Sequence, residues 1–206
     1  PVRQNLFGHS VSREEAVRYF SLDPSKKTIL ILGGSLGART INRTLTAGLD
    51  IIRQNPDIQF IWQTGKYYYP QVTEAVRAAG ELPNLYVTDF IKDMAAAYAA
   101  SDLVISRAGA GSISEFCLLH KPVVLVPSPN VAEDHQTKNA LALVDKQAAI
   151  YVKDSEAEAK LMDVALNTVA DDRKLKELSE NIAKLALPDS ARIIAQEVIK
   201  LAEAEN

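Results

Sequence analysis

Apolar positions along this chain fall into two alternating rhythms. Short, nearly unbroken apolar runs occur at Thr28–Leu32, Gln59–Trp62, Leu85–Val87, Leu103–Ile105, Pro122–Pro127 and Ala149–Val152. Runs of this kind read as strands buried on both faces of a sheet. Between them, apolar side chains recur at helical spacing, as Ile41, Leu45, Leu49 and Ile52 do within Ala38–Arg53. The same spacing predicts helices over Ser12–Phe20, Gln71–Ala79, Met94–Ala100 and His135–Lys146. Three more close the chain, near Ser155–Val169, Asp172–Leu185 and Asp189–Ala204, the last with a stripe of Ile194, Val198 and Leu201. Pro1 to Asn5 reads as a linker leading in.

Strand and helix alternate throughout. This predicts one α/β domain over residues 1–206, a doubly wound, Rossmann-like parallel sheet of six strands, with no internal repeat or low-complexity segment. Ligands of such sheets lie beyond the carboxyl ends of the strands. The informative loops therefore follow the first, third, fourth and fifth strands. They hold Ser35, Ile91, the segment Ser106–Glu115, and His135-Gln136.

Composition narrows the picture slightly. Of 206 residues, 47% are hydrophobic and 24% charged, as in an ordinary globular core. A net charge of −3 argues against nucleic acid as the main partner, because binding its backbone calls for a basic face. No apolar run approaches the ~18 residues of a membrane span, and no basic-then-apolar leader marks secretion. The single cysteine, Cys117, lies in an apolar helical run and reads as a buried thiol in a reducing, cytoplasmic setting. The chain begins at Pro1 rather than at a methionine, so it is expected to be a piece of something longer.

The candidate chemistry concentrates in Ser106-Arg107-Ala108-Gly109-Ala110-Gly111-Ser112-Ile113-Ser114-Glu115. A strand, a glycine-rich turn and a helix start present free N–H groups and the positive end of a helix dipole, the usual seat of a phosphate. Glu115, one turn in, suits a ribose. It also stands at capping-box spacing from Ser112, as Glu15 does from Ser12 and Glu158 from Ser155; both readings stay open. After the first strand, Gly33-Gly34-Ser35-Leu36-Gly37 is not the G-x-G-x-x-G fingerprint, and the second strand ends in Gln63-Thr64 rather than an acid, so a nicotinamide or flavin enzyme is disfavoured. Its glycines serve either tight helix–sheet packing or a phosphate held by Ser35. His135 and Gln136 open a helix at the same edge, where Gln136 could accept from and donate to sugar hydroxyls or simply be solvated. His9, His120 and His135 are scattered, and no cluster has metal-ligand spacing. Lys121 is expected at the surface, and Tyr67-Tyr68-Tyr69 as packing at a loop edge.

With these segments in view, the chain resembles the C-terminal lobe of the MurG family, the GT-B glycosyltransferases that transfer N-acetylglucosamine to complete lipid II in peptidoglycan synthesis. The likeness rests on Pro1-Val2-Arg3, Gly33-Gly34-Ser35-Leu36-Gly37-Ala38-Arg39, Trp62-Gln63-Thr64-Gly65, Phe90-Ile91-Lys92-Asp93-Met94-Ala95, Ser106-Arg107-Ala108-Gly109-Ala110, Ser114-Glu115, and His135-Gln136-Thr137-Lys138-Asn139-Ala140. It implies a donor-binding lobe for UDP-N-acetylglucosamine (UDP-GlcNAc), with no metal and no other cofactor. The undecaprenyl-linked acceptor and the general base belong to a second, N-terminal lobe that nothing here matches. It implies an enzyme peripheral on the inner face of the cell membrane, of which this half alone is inactive.

Carried over residue by residue, Arg3 and Ser35 contact the diphosphate region and the main chain of Ile91 reads the uracil. Ala110, Gly111, Ser112, Ile113 and Ser114 lie along the diphosphate and sugar, Glu115 holds the ribose, and Gln136 with His135 holds the N-acetylglucosamine. Two positions depart from the family pattern: Gly111, where a larger or polar residue is expected, and His120, where glycine is common before Lys121-Pro122. The same fold could instead serve a UDP-GlcNAc 2-epimerase, another GT-B donor lobe, or a non-catalytic nucleotide-binding module.

Overall fold

The computed structural model describes residues 11–34, 36–130 and 134–186. Arg3, Ser35, the leading linker and the last predicted helix lie outside the described residues. Among those described, six strands form one all-parallel sheet: β1 (Lys27–Leu32), β2 (Ile58–Gln63), β3 (Leu85–Thr88), β4 (Leu103–Ser106), β5 (Val123–Leu125) and β6 (Ile150–Tyr151). Their order is β3-β2-β1-β4-β5-β6, so the winding reverses between β1 and β4. That is the doubly wound sheet the apolar runs predict.

Successive side chains on a strand face opposite ways. Leu30 and Leu32 of β1 therefore enter one core and Ile29 and Ile31 the other. The first core lies under α1 (Arg13–Tyr19), α5 (Met94–Ala100), α6 (Ala110–Leu118), α7 (His135–Val144) and α9 (Asp172–Ala183). The second lies under α2 (Arg39–Ala47), α3 (Leu49–Gln54), α4 (Tyr69–Ala79) and α8 (Ala157–Ala170). Both faces are covered, which is why the strands are apolar nearly throughout.

The structure corrects several boundaries. The helix predicted over Ala38–Arg53 breaks into α2 and α3 at Gly48, whose N–H bonds back to Thr44 and Leu45. A Cβ there would stand 3.2 Å from Met162 of α8, so the absent side chain lets α8 pack close. The α4 helix starts earlier than expected, at Tyr69, with Pro70 in its first turn, where a missing N–H costs nothing. Of the three S-x-x-E spacings, Ser12–Glu15 alone closes a capping box. Glu156, without a side-chain cap, precedes α8, and Ser112 is the third residue inside α6.

Lys121 is half-buried rather than a surface residue. Its ammonium donates to the Ser101 carbonyl at 2.9 Å, and burial pulls its pKa down to about 8. Cys117 is buried, as expected, and burial raises its thiol pKa. In the tyrosine run, Tyr68 packs its ring over Gly37 while Tyr67 stays 80% exposed.

Candidate functional site

The loops after β1 and β4 flank the point where the winding reverses, and a helix begins in each. The α6 helix opens at Ala110 after Gly109, and α2 opens at Arg39 after Ala38; neither start has a side-chain cap. In α6 the first intrahelical bond runs from the Ile113 N–H to the Gly109 carbonyl at 3.0 Å. The N–H groups of Ala110, Gly111 and Ser112 thus have no partner within the helix. From Ile113 onward the backbone donors belong to the helix, and the Ser114 hydroxyl turns back onto the Ala110 carbonyl at 3.0 Å. In α2, Asn42 is the first to bond back, to Ala38 at 2.9 Å, which leaves Arg39, Thr40 and Ile41 as the corresponding donors.

The glycines of the two turns do different things. A Cβ on Gly33 would come within 2.9 Å of the Gln63 carbonyl. One on Gly37, at φ +92°, would strike the Tyr68 ring at 2.4 Å, and one on Gly65 would strike the Gly37 backbone. These glycines let the β1 and β2 loops interlock. At Gly109 and Gly111 a Cβ would meet nothing within 4 Å. Their missing side chains leave space on an open face, where a ligand can approach the backbone.

A cavity of about 220 Å³ opens at the switch point, between Gly33, Gln63, Phe90, Met94, Ser106 and Ser112. A second, of about 580 Å³, lies between the start of α2 and the loop after β5, lined by Gly37, Arg39, Ser128, Gln136 and Asp154. Arg107 borders both. Its Nη1 is held by the protein: it donates to the Val126 and Pro127 carbonyls and to Asp154, which also takes the Thr40 hydroxyl. A further groove of about 580 Å³, between α2 and α4, lies away from the switch point.

The remaining expected site residues are placed as follows. Glu115 is buried, 5% exposed, and accepts the Tyr98 hydroxyl at 2.8 Å. With Gly109 at the N-cap, it is not part of a capping box. Ile91 is buried at the loop after β3, and its N–H donates to the Gln63 side chain at 2.8 Å, so of its main-chain groups the N–H is already engaged. Gln136 lies at the rim of the larger cavity, and His135 is exposed at the first position of α7. The Gln136 side-chain oxygen accepts from the Ala108 N–H at 3.2 Å and the Ser128 N–H at 2.9 Å, so a ligand hydroxyl could meet only its amide NH₂.

Sequence reasoning gave no role to Tyr98, Arg107, Asn139 or Asp154. Asn139 was the most accessible of them: three residues after Gln136, it shares its helix face and donates to the Ala108 carbonyl at 3.1 Å.

This is a Rossmann-like domain of the kind shared by GT-B glycosyltransferases and UDP-sugar epimerases. The profile of the glycosyltransferase family 28 C-terminal domain matches residues 28–194, and the chain belongs to that family. It is 89% identical, over its whole length, to a Bacteroides thetaiotaomicron protein named UDP-N-acetylglucosamine--N-acetylmuramyl-(pentapeptide) pyrophosphoryl-undecaprenol N-acetylglucosamine transferase, of which it covers 55%. A Flavobacterium psychrophilum protein of the same name is 48% identical, with 54% covered. The chain thus spans about half the length of these curated relatives.

Among solved structures, MurG from Acinetobacter baumannii superposes with a TM-score of 0.76 at 28% identity, over 97% of this chain and 55% of that one. A UDP-N-acetylglucosamine 2-epimerase superposes at 0.63 over 98% of this chain and 48% of its own; at 18% identity the likeness is one of fold.

Proposed function

We propose that this chain is the donor-binding half of an inverting transferase that moves N-acetylglucosamine from UDP onto the undecaprenyl-linked acceptor, making lipid II. The observation that carries this reading is the 89% identity, end to end, to a relative of that name. The site supports it independently, since the open glycines and unfilled helix starts converge on the switch point. In the reaction the acceptor's C4 hydroxyl attacks the anomeric carbon, the bond from that carbon to the diphosphate oxygen breaks, and UDP leaves with the electron pair. The proton goes to a base outside this chain.

The chain's share is to bind the donor and stabilise the charge that develops on the diphosphate. The N–H groups of Ala110, Gly111 and Ser112 face that charge, together with the dipoles of α6 and α2. Each dipole contributes about 0.3–1 kcal/mol, at most ~2 where partly buried. Micromolar affinity takes about 8 kcal/mol, so base and sugar contacts supply the larger part. The Ile91 carbonyl accepts from the uracil N3–H, Glu115 takes the ribose hydroxyls, and the Gln136 NH₂, beside His135, donates to the sugar. Arg3 and Ser35 join at the diphosphate. In this reading the helix starts neutralise the leaving diphosphate and no metal is required. The enzyme works at the inner face of the cell membrane; among the described residues no helix is long and apolar enough to cross one.

Calorimetric titration of the chain with UDP-GlcNAc tests the reading. Binding that Glu115→Ala weakens at least tenfold supports it, the loss expected for a charged hydrogen bond. No binding, or equal binding by the variant, rejects the site.

A further inference from the structure

Glu115 is an unusual ribose ligand because it is almost wholly buried, and an aromatic residue from another helix holds it. Tyr98 of α5 is 2% exposed and donates its hydroxyl to the Glu115 Oε2 atom at 2.8 Å. The Tyr98 ring is fixed by an edge-on contact with Phe116, the residue after Glu115, at 6.1 Å between centroids and 79° between planes. Its carbonyl is held as well, by the Ser101 hydroxyl at 3.0 Å and the Ser101 N–H at 3.2 Å. The donor is thus rigid at both ends. Met94 and Phe90, at the start of α5 and just before it, and Ser112, one turn before Glu115, all line the cavity at the switch point. The Tyr98–Glu115 bond ties together the two helices that form this part of its wall.

A carboxylate on a flexible side chain takes many rotations about its last bond, and each hydrogen bond to a ligand must then overcome the entropy of choosing one. A fixed donor on one oxygen makes that choice before the ligand arrives. We propose, resting on the donor-binding reading above, that Tyr98 is a positioning residue that orients Glu115 toward the vicinal hydroxyls of the ribose and so sets the preference for ribonucleotide over deoxyribonucleotide. The pair acts on the sugar of the nucleotide.

The test measures the affinities of UDP and 2′-deoxy-UDP for the chain by calorimetry, in the unmodified protein and in Tyr98→Phe. Phenylalanine keeps the ring against Phe116 and removes only the hydroxyl; thermal unfolding verifies that it folds. The unmodified chain should prefer UDP by roughly tenfold or more, the scale of one hydrogen bond to a charged group. Tyr98→Phe should bring that ratio below about threefold, by weakening UDP more than 2′-deoxy-UDP, which offers Glu115 only its 3′-hydroxyl. Glu115→Gln should do the same, and the double variant should lose no more than either single one, because both act on one contact.

An unchanged ratio in Tyr98→Phe, equal weakening of both ligands, or additive losses in the double variant would overturn the positioning role while leaving donor binding intact. Failure of the unmodified chain to bind UDP would overturn the donor reading itself, and this inference with it.

Discussion

The side-chain oxygen of Gln136 accepts the main-chain N–H of Ala108, so a residue of α7 fixes the turn from which α6 begins. The same oxygen accepts from Ser128, and Asn139, one turn on, holds the Ala108 carbonyl. Both polar groups of one peptide position are thus satisfied by one helix face. The glycine segment is held from behind, and its front stays open.

Gln136→Leu strands the Ala108 and Ser128 N–H groups, both in part-buried surroundings. It should cost about 1–3 kcal/mol, and Asn139→Ala, which takes a donor from the carbonyl of the buried Ala108, should cost a similar amount. Urea unfolding at constant slope measures both. The two changes should couple, since they act on the same residue. Strict additivity would show that the clamp is two unrelated contacts.

The contrast between packed and open glycines gives a second prediction. Gly111→Ala should stabilise the fold by up to about 0.5–1 kcal/mol, because alanine is the better helix residue and its Cβ meets nothing. Gly37→Ala should destabilise it by more than about 1–2 kcal/mol, the cost of a left-handed backbone alone, since its Cβ must also displace the Tyr68 ring. Melting temperatures of the two variants should move in opposite directions. A shift of the same sign in both would refute the division of labour.

That division marks the limit of what the sequence discloses. The apolar runs specify six strands, and their continuity specifies a sheet covered on both faces. The edge that holds the site follows from topology, as does the placing of the 106–115 segment there. What stayed hidden depends on distance in space. Nothing local distinguishes Gly37, which is crowded by Tyr68, from Gly111, which faces open space. The Ser112–Glu115 spacing suits a capping box, yet the chain enters the helix three residues earlier and Glu115 turns instead to Tyr98, on a helix that precedes β4. The Asp154 that neutralises Arg107 lies 47 positions away along the chain. Such partners become visible once the sheet has brought the loops together.

His120 follows the last turn of α6 with φ +54°, in the left-handed region that favours glycine. Its N–H bonds to the Cys117 carbonyl at 3.3 Å and that of Lys121 to Phe116 at 2.9 Å, the paired bonds of a Schellman end. This accounts for the glycine expected at that position, and it makes His120→Gly a stabilising change. The gain should be about 0.5–1 kcal/mol after the larger entropy of the unfolded glycine chain is set against the relieved strain. For a domain of this size that corresponds to a rise of roughly 1–4 °C in Tm. A fall in Tm would mean that the imidazole makes a contact worth more than the strain.

Lys121 makes stability depend on alkaline pH. Burial is the main force holding its pKa near 8; the Asp102 charge opposes that shift and the Arg13 charge adds to it. Lysine in an unfolded chain titrates near its ordinary value of 10.5. Below pH 8 both states carry the proton, and the folded state bears the full cost of a half-buried ammonium. Between about 8 and 10.5 the folded state has released its proton and the unfolded state has not, so raising the pH favours folding, by at most ~1.4 kcal/mol per pH unit. Tyr86 acts in the opposite sense at the top of this range. Burial raises its pKa, so stability is lost as the unfolded phenol ionises first. Comparison with Lys121→Met removes that contribution, because both proteins keep Tyr86. Between pH 7 and 10 the unmodified protein should gain stability relative to Lys121→Met, measured by urea unfolding at each pH. Parallel curves across that window would show that the amine is solvated in the folded state and that its bond to Ser101 does not bury the charge.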